Sequence, residues 1–308
     1  MTDQLQKFLF DGAPVRGEMV ELSQTWKHIL SHRHYPAPVQ ALLGQMVAAA
    51  ALLSANLKFN GVIVMQIHGD GPVKLLVVEC DADLHLRATA KLREGAVIAE
   101  DAQLPELVNA AGNGRFVITL DPKDKLPGQQ AYQGIVPLDG ETIATVIENY
   151  MMRSEQLDTR LWLAADNQVS RGLLLQKLPG DDATASTEGE ELDTWSRSVM
   201  LASTLKEEEL LAIDGTTLMR RLFWEETIRI LEPKHPQFRC SCHREKVGNM
   251  LKMLGQREID EAIEELGKLE IDCDFCGQRY KFDRVDCAQL FAVEAPVATH
   301  LPPSEKRH

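Results

Sequence analysis

Apolar residues fall into two periodicities along this chain. Residues 39–57, VQALLGQMVAAAALLSANL, are rich in Ala and Leu with one glycine and no proline, and they predict a largely buried core helix. The stretch GVIVMQIHGDGPVKLLVVE then places two β-branched runs around Gly69-Asp70-Gly71-Pro72, which predicts a hairpin because glycine supplies the conformations a tight connection needs. Further strands are predicted at 84–92, at 116–120 after Gly112-Asn113-Gly114, at 132–138 before Asp139-Gly140, and at 160–164 and 172–178, with a helix over 141–154. Strands grouped with helices, rather than strictly alternating with them, indicate an α+β fold: a mixed helix/sheet core domain over 1–179. No glycine pair matches Gly-x-Gly-x-x-Gly between a strand and a helix, so the glycines read as turns rather than as a phosphate loop.

Beyond the core the pattern changes. Residues 180–193, GDDATASTEGEELD, are polar and acidic and mark a boundary. Leu192, Trp195, Val199, Leu205, Leu210 and Leu211 then give an amphipathic helical pattern, and 218–224 give a second. From 180 to 230 there are 12 acidic and 5 basic residues, a net of -7 within the chain's -13. Two readings are open. The stretch is either a solvated face on ordinary surface helices, or a cover that docks through Trp195, Leu222, Phe223 and Trp224 and is kept marginal by like-charge repulsion. On the second reading, replacing Glu207, Glu208 and Glu209 with glutamine strengthens docking, whereas Trp195→Ala loosens it. The expected organisation is therefore a core over 1–179, an acidic helical linker over 180–231, a small four-cysteine zinc domain over 232–293 and a disordered tail over 294–308.

Composition narrows the function classes. The chain has 308 residues, 44% hydrophobic and 26% charged, a globular balance large enough to bury a core without disulfides. No apolar run approaches the roughly 20 residues that span a bilayer, and MTDQLQKFLFDG lacks the basic and apolar regions of a signal peptide. A cytoplasmic location without membrane association is expected. Net charge of -13 opposes binding to phosphate backbones, and 231–308, with 12 basic and 14 acidic residues, offers no basic footprint either.

Five of the six cysteines lie between 240 and 287. Cys240-Ser241-Cys242 and Cys273-Asp274-Phe275-Cys276, 30 residues apart, have the paired spacing that builds a tetrahedral four-sulfur site for one Zn²⁺. Two short helices are predicted between the pairs, at 247–254 and 258–266. Zinc here is either a structural clip or part of a switch. Cysteines two apart close only a strained, labile disulfide, and metal-bound sulfurs are held as thiolates, the form that meets an oxidant. Arg239, Arg244, Lys246, Arg279 and Lys281 are expected to offset the site's negative charge, and His243 is read as a surface residue. Cys80 and Cys287 stand outside the pattern and read as buried, unreactive thiols.

The arrangement Cys-x-Cys, about 30 residues, then Cys-x-x-Cys resembles the heat-shock protein 33 family of redox-regulated bacterial chaperones. Val15-Arg16-Gly17-Glu18, LKFNGVIVMQIHGDGP, GNGRFVITLDP and YQGIVPLDGETIATVIENYMMRSEQLDTRLWL carry the same resemblance over nearly the whole chain. It implies a non-enzymatic, ATP-independent holdase for unfolding proteins under oxidative stress. Its reduced state is zinc-bound and inactive. Its oxidised state carries disulfides Cys240–Cys242 and Cys273–Cys276, has lost zinc, has an unfolded linker, forms dimers and passes clients to ATP-driven chaperones. Two other readings use the same thiols. A zinc-ribbon nucleic-acid module lacks supporting charge, and a thiol-disulfide oxidoreductase using Cys273 and Cys276 has Asp272 and Asp274 beside its nucleophile.

Overall fold

The computed structural model describes residues 3–56, 60–125, 130–179 and 188–292, with side chains from 194 onward in the last of these. The predicted boundary at 180–187 and the tail at 294–308 lie outside the described residues. Two compact units divide the chain, Met1–Cys240 and Ser241–His308.

The first unit opens with strands β1 (Gln4–Phe10) and β2 (Val15–Leu22), then helices α1 (Gln24–Leu30) and α2 (Ala37–Ser54). Strands β3 (Gly61–His68), β4 (Val73–Asp81) and β5 (His85–Leu92) follow, then α3 (Leu104–Val108), β6 (Arg115–Pro122) and β7 (Tyr132–Pro137). Next come α4 (Ile143–Tyr150), running into one π-helical turn at Met151–Glu155, and strands β8 (Thr159–Ala165) and β9 (Ser170–Lys177). Helices α5 (Glu188–Ala202), α6 (Glu207–Ala212) and α7 (Gly215–Leu222) and the short strands β10 (Ile228–Ile230) and β11 (Gln237–Phe238) complete it. The fold is α+β, with one sheet ordered β10-β1-β2-β9-β8 and a second ordered β11-β5-β4-β3-β6-β7.

Helix α2 packs on strands of both sheets. Its residues Val39, Leu43, Met46 and Val47 through Leu52 are fully buried, so it is apolar all round rather than amphipathic. Ala48 to Ala51 keep its girth small where the sheets close on it. Contrary to the expectation that no apolar run approaches spanning length, its 18 residues are long and apolar enough to cross a membrane by length and composition, and 72% of that stretch is buried inside the protein. Lys7 Nζ donates to Ala55 O at 2.6 Å and so caps the helix's carbonyl end with a cation. On β2, Gly17 lies under the Phe8 ring, where a Cβ would stand 2.0 Å from Phe8 Cζ.

The predicted hairpin is β3–β4, which pairs Met65 with Val78. The helix predicted over 141–154 ends its α-helical part at Tyr150, and Gln156 at φ 55° closes the π turn.

Helices α5 to α7 belong to this unit, and their apolar faces cover the outer side of the first sheet. Ala202, Leu210, Leu218, Met219 and Phe223 form one cluster with Phe8, Phe10, Val15, Met19, Leu173 and Leu175. Phe223 meets Phe10 edge-on at 5.2 Å between centroids. Trp195 and Leu222 pack at the cluster's margin. Trp224 does not dock: it is 75% exposed, because α7 ends at Leu222 and the next side chain, Phe223, takes the buried position. The acids Glu207, Glu208 and Glu209 fill the first turn of α6, where negative charge is favourable, and Glu209 accepts from Lys206 N–H at 3.3 Å and pairs with Arg221 at 3.4 Å. Their position at the start of α6 argues against the expectation that they weaken docking. Arg197 of α5 grips Glu226 through Nε and Nη2, the latter at 3.1 Å, fastening the start of the cover to its end.

The second unit holds α8 (Arg244–Leu254), α9 (Gln256–Leu266), the hairpin β12 (Leu269–Asp272) and β13 (Arg279–Phe282), and α10 (Arg284–Phe291). Leu251, Ile259, Ile263, Leu269, Phe282 and Cys287 form its small core.

Candidate metal centre

Cys240 reaches its position on a strap across the first unit. Strand β10 pairs antiparallel with β1, Leu5 and Lys234 form a bridge, and β11 pairs parallel with β5, Gln237 opposite His85 and Phe238 opposite Leu86. The Phe238 ring stacks on His28 at 4.2 Å. Gln237 N–H donates to Leu84 O and Arg239 N–H to Leu86 O, both at 3.0 Å, and Cys240 follows immediately.

Cys242 precedes α8, whose N-cap is His243: its Nδ1 accepts from Lys246 N–H at 3.3 Å. His243 is thus an exposed cap, in keeping with the surface reading. Cys273 and Cys276 sit in the turn of the β12–β13 hairpin. Cys273 N–H donates to Gln278 O, and Gly277 N–H returns to Cys273 O, each at 2.9 Å. Gly277 has φ 66°, a conformation open to glycine that lets the chain double back beneath two sulfurs.

The sulfurs of Cys240, Cys242, Cys273 and Cys276 all lie within 4.8 Å of one another, and all four residues are half-buried. Cys242 Sγ and Cys276 Sγ are 3.3 Å apart. Sulfurs at the corners of a tetrahedron around Zn²⁺, each about 2.3 Å from the metal, stand about 3.8 Å apart. Four thiol donors at this spacing, with no carboxylate among them, suit a soft-ligand tetrahedral ion. Cys287 and Cys80 are not in the group: both are buried, and burial pushes the Cys80 thiol up to about 12.

Two contacts to the sulfurs were not foreseen. Tyr280 Oη donates to Cys242 Sγ at 3.1 Å; that bond, with burial and the neighbouring cysteines, pushes the phenol up to about 12. Arg87 Nη1, from core strand β5, donates to Cys240 Sγ at 3.6 Å. Arg87 is held by Glu79, its cross-strand partner on β4, with Nε at 2.8 Å and Nη2 at 2.6 Å from Oε2. Burial alone would depress the guanidinium, but Glu79 and Cys240 together raise it. The one available signal was an arginine flanked by Leu86, Ala88 and Ala90 in an apolar strand, since buried arginine requires a partner.

Several bases expected to neutralise the thiols hold other partners. Arg279 grips Asp272 at 2.7 and 2.9 Å and Glu270 at 3.3 Å, Lys281 pairs with Glu270 at 3.4 Å, and Arg244 pairs with Asp286 at 2.8 Å. Lys246 Nζ donates to Ser241 Oγ at 3.3 Å. A second close group, Asp81, Asp83 and His85, is a turn: Asp81 Oδ1 accepts from the backbone N–H of Asp83 and of His85 at 3.0 Å.

The described residues make a protein of two units, an α+β unit with a docked helical cover and a small second unit, with four thiols close enough together to hold a metal ion. The family model described as Hsp33 protein matches residues 3–283, and the chain belongs to that family. A 33 kDa chaperonin of Methylobacillus flagellatus is 44% identical over 309 residues, covering 100% of this chain and 99% of its own length. Another, from Chromobacterium violaceum, is 46% identical over 306 residues, covering 99% and 98%. The crystal structure of the 33 kDa chaperonin (heat shock protein 33 homolog) of Thermotoga maritima shares the fold, with a TM-score of 0.74 at 21% identity over 93% of this chain and 97% of that one.

Proposed function

We propose that this chain is a redox-regulated, ATP-independent holdase chaperone of the cytoplasm, inactive while reduced and zinc-loaded. The observation that carries the proposal is the convergence of four half-buried thiols within 4.8 Å in a chain of this family. Cys240, Cys242, Cys273 and Cys276 would hold one Zn²⁺, which keeps all four sulfurs deprotonated at neutral pH. Tyr280 and Arg87 donate to two of those sulfurs and steady their orientation. Partial burial leaves the thiolates open to a small oxidant such as a peroxide. In each pair two thiolates lose two electrons and form one S–S bond, while the peroxide O–O bond breaks and leaves as two hydroxide ions. The proposed products are Cys240–Cys242 and Cys273–Cys276, each closing over little chain.

A disulfide sulfur is a poor metal ligand, so oxidation dismantles the centre. Small domains of this kind owe much of their fold to the metal. With that support gone, the linker undocks and uncovers Phe8, Phe10, Met19, Leu173 and Leu175 on the sheet together with its own Leu210, Leu218 and Phe223. That surface is the proposed site for unfolding clients and for dimerisation of the oxidised chain, with ATP-driven chaperones taking clients afterwards. No turnover chemistry, nucleic acid or membrane enters this reading.

Metal content and free thiols, measured before and after peroxide alongside suppression of client aggregation, test it. Support requires one zinc per reduced chain, loss of that zinc with four thiols, and activity only afterwards. A zinc that stays bound in an oxidised, active sample refutes it.

A further inference from the structure

Cys240 differs from the other three thiols in where it stands. It is the last residue of the first unit, and its sulfur is tied to a strand of the core sheet. The strap that carries it is joined to the core sheet at this end by a strand of two residues, with Gln237 N–H donating to Leu84 O and Arg239 N–H to Leu86 O. A strand so short has little stability of its own. The guanidinium of Arg87, 10% exposed and clamped by Glu79, supplies a third attachment on the sulfur itself.

We propose that Arg87 is a positioning residue of the redox centre, holding the Cys240 thiolate against the core sheet and thereby tying the pairing of β11 with β5 to the redox state of that sulfur. The inference rests on the zinc-thiolate reading above. Its chemistry is electrostatic. A thiolate accepts a charge-assisted hydrogen bond from a guanidinium, whereas a disulfide sulfur carries no charge and accepts poorly. When Cys240 and a second cysteine thiolate give two electrons to a hydroperoxide, an S–S bond forms, the O–O bond breaks and two hydroxide equivalents leave. Arg87 then faces a neutral sulfur. The attachment weakens, and β11 keeps its backbone pairing with β5 and the His28–Phe238 stack. Loosening passes backward along the strap to β10, which immediately follows the docked linker helices. The redox signal thus has a route into the core through the chain's own backbone. Donation from Arg87 also draws electron density from the sulfur, which slows its attack on peroxide.

The test uses full-length, reduced, zinc-loaded protein and two readouts that are independent of chaperone activity. One is the rate of zinc release after hydrogen peroxide, followed with a chromogenic chelator. The other is hydrogen exchange at the amides of Gln237 and Arg239. Arg87→Gln is expected to release zinc about fivefold faster than wild type and to lower protection of both amides before oxidation by a similar factor, the scale of one charged hydrogen bond with sulfur as a weak acceptor. Arg87→Lys keeps the charge and should recover more than half of each effect. Glu79→Gln leaves Arg87 in place but unclamped, should accelerate release about twofold, and decides the matter if Arg87→Gln does not fold. Release from Arg87→Lys as fast as from Arg87→Gln, or wild-type behaviour of Arg87→Gln or Glu79→Gln, overturns the inference. A wild-type chain that binds no zinc overturns the underlying metal assignment, which is a distinguishable result.

Discussion

Removing the Phe223 ring should unlatch the linker without touching the thiols. Phe223 is 2% exposed, and its ring lies 5.2 Å from that of Phe10 and 5.7 Å from that of Phe8. Truncating a packed phenylalanine to alanine costs about 3–5 kcal/mol, from lost burial and the cavity left behind. The core's own cluster around α2 does not include Phe223, so this cost falls on the docking equilibrium of α6 and α7. At the lower bound, and with about 1.4 kcal/mol per factor of ten, the docked-to-undocked ratio drops by roughly 100-fold. Hydrogen exchange on reduced, zinc-loaded Phe223→Ala should show that loss at the amides of Leu210, Ile213, Leu218 and Phe223, which bond to Lys206, Glu209, Asp214 and Met219 in the docked state. Protection in β3 and β6 should be unchanged, and suppression of client aggregation should appear without oxidant. Trp224→Ala is the control: with its side chain 75% exposed, it should shift docking by less than about 0.5 kcal/mol. If Phe223→Ala leaves the helix amides fully protected, or if linker and core lose protection together, the linker is not a separable cover.

Other expectations follow from the same contacts. Cys273→Ser should lose zinc affinity while Cys287→Ser keeps it, as measured by competition with a chelator; the reverse order would refute the ligand assignment. Replacing Glu207, Glu208 and Glu209 with glutamine should weaken α6 by about 0.3–1 kcal/mol per charge and speed undocking, and slower activation by oxidant would count against the helix-terminus account. The thiol of Cys80 has a folded-state pKa raised to about 12 by burial, against an ordinary 9.0. The folded chain therefore holds this proton more tightly than the unfolded one, so the contribution is intact below about pH 9 and is lost as pH rises towards 12. Cys80→Ala should make the alkaline decline of unfolding free energy shallower by up to about 1.4 kcal/mol per pH unit, and parallel curves for the two proteins would show that Cys80 does not contribute.

The parts legible in the sequence are those where burial follows a simple period. Helix α2 reads as apolar on every side because both sheets close on it, and the β3–β4 hairpin reads from its β-branched runs and glycine turn. The four thiols read from their spacing alone. Strands β1 and β2 carried no strand expectation. Their burial is crossed by charged residues, Lys7 pairing with the fully buried Glu18 at 3.5 Å and Arg16 donating to Gln176 Oε1, so hydropathy does not mark the core-facing side. Strand β11 has two residues, too few for any period, and exists through β5. Arg87 and Cys240 are 153 residues apart, and local patterns carry no information about such a pair. The linker's amphipathic spacing was legible, but Trp224 was misplaced: helix α7 ends at Leu222, and Phe223 takes the buried position beside it.

The central claim, that oxidation of the thiol centre undocks the linker, is tested most directly by hydrogen exchange across residues 194–230 in reduced and in peroxide-oxidised protein. The account predicts that protection of α6 and α7 collapses on oxidation while β3, β4 and β6 retain theirs. Unchanged protection of α6 and α7 in an oxidised sample that suppresses client aggregation would contradict it.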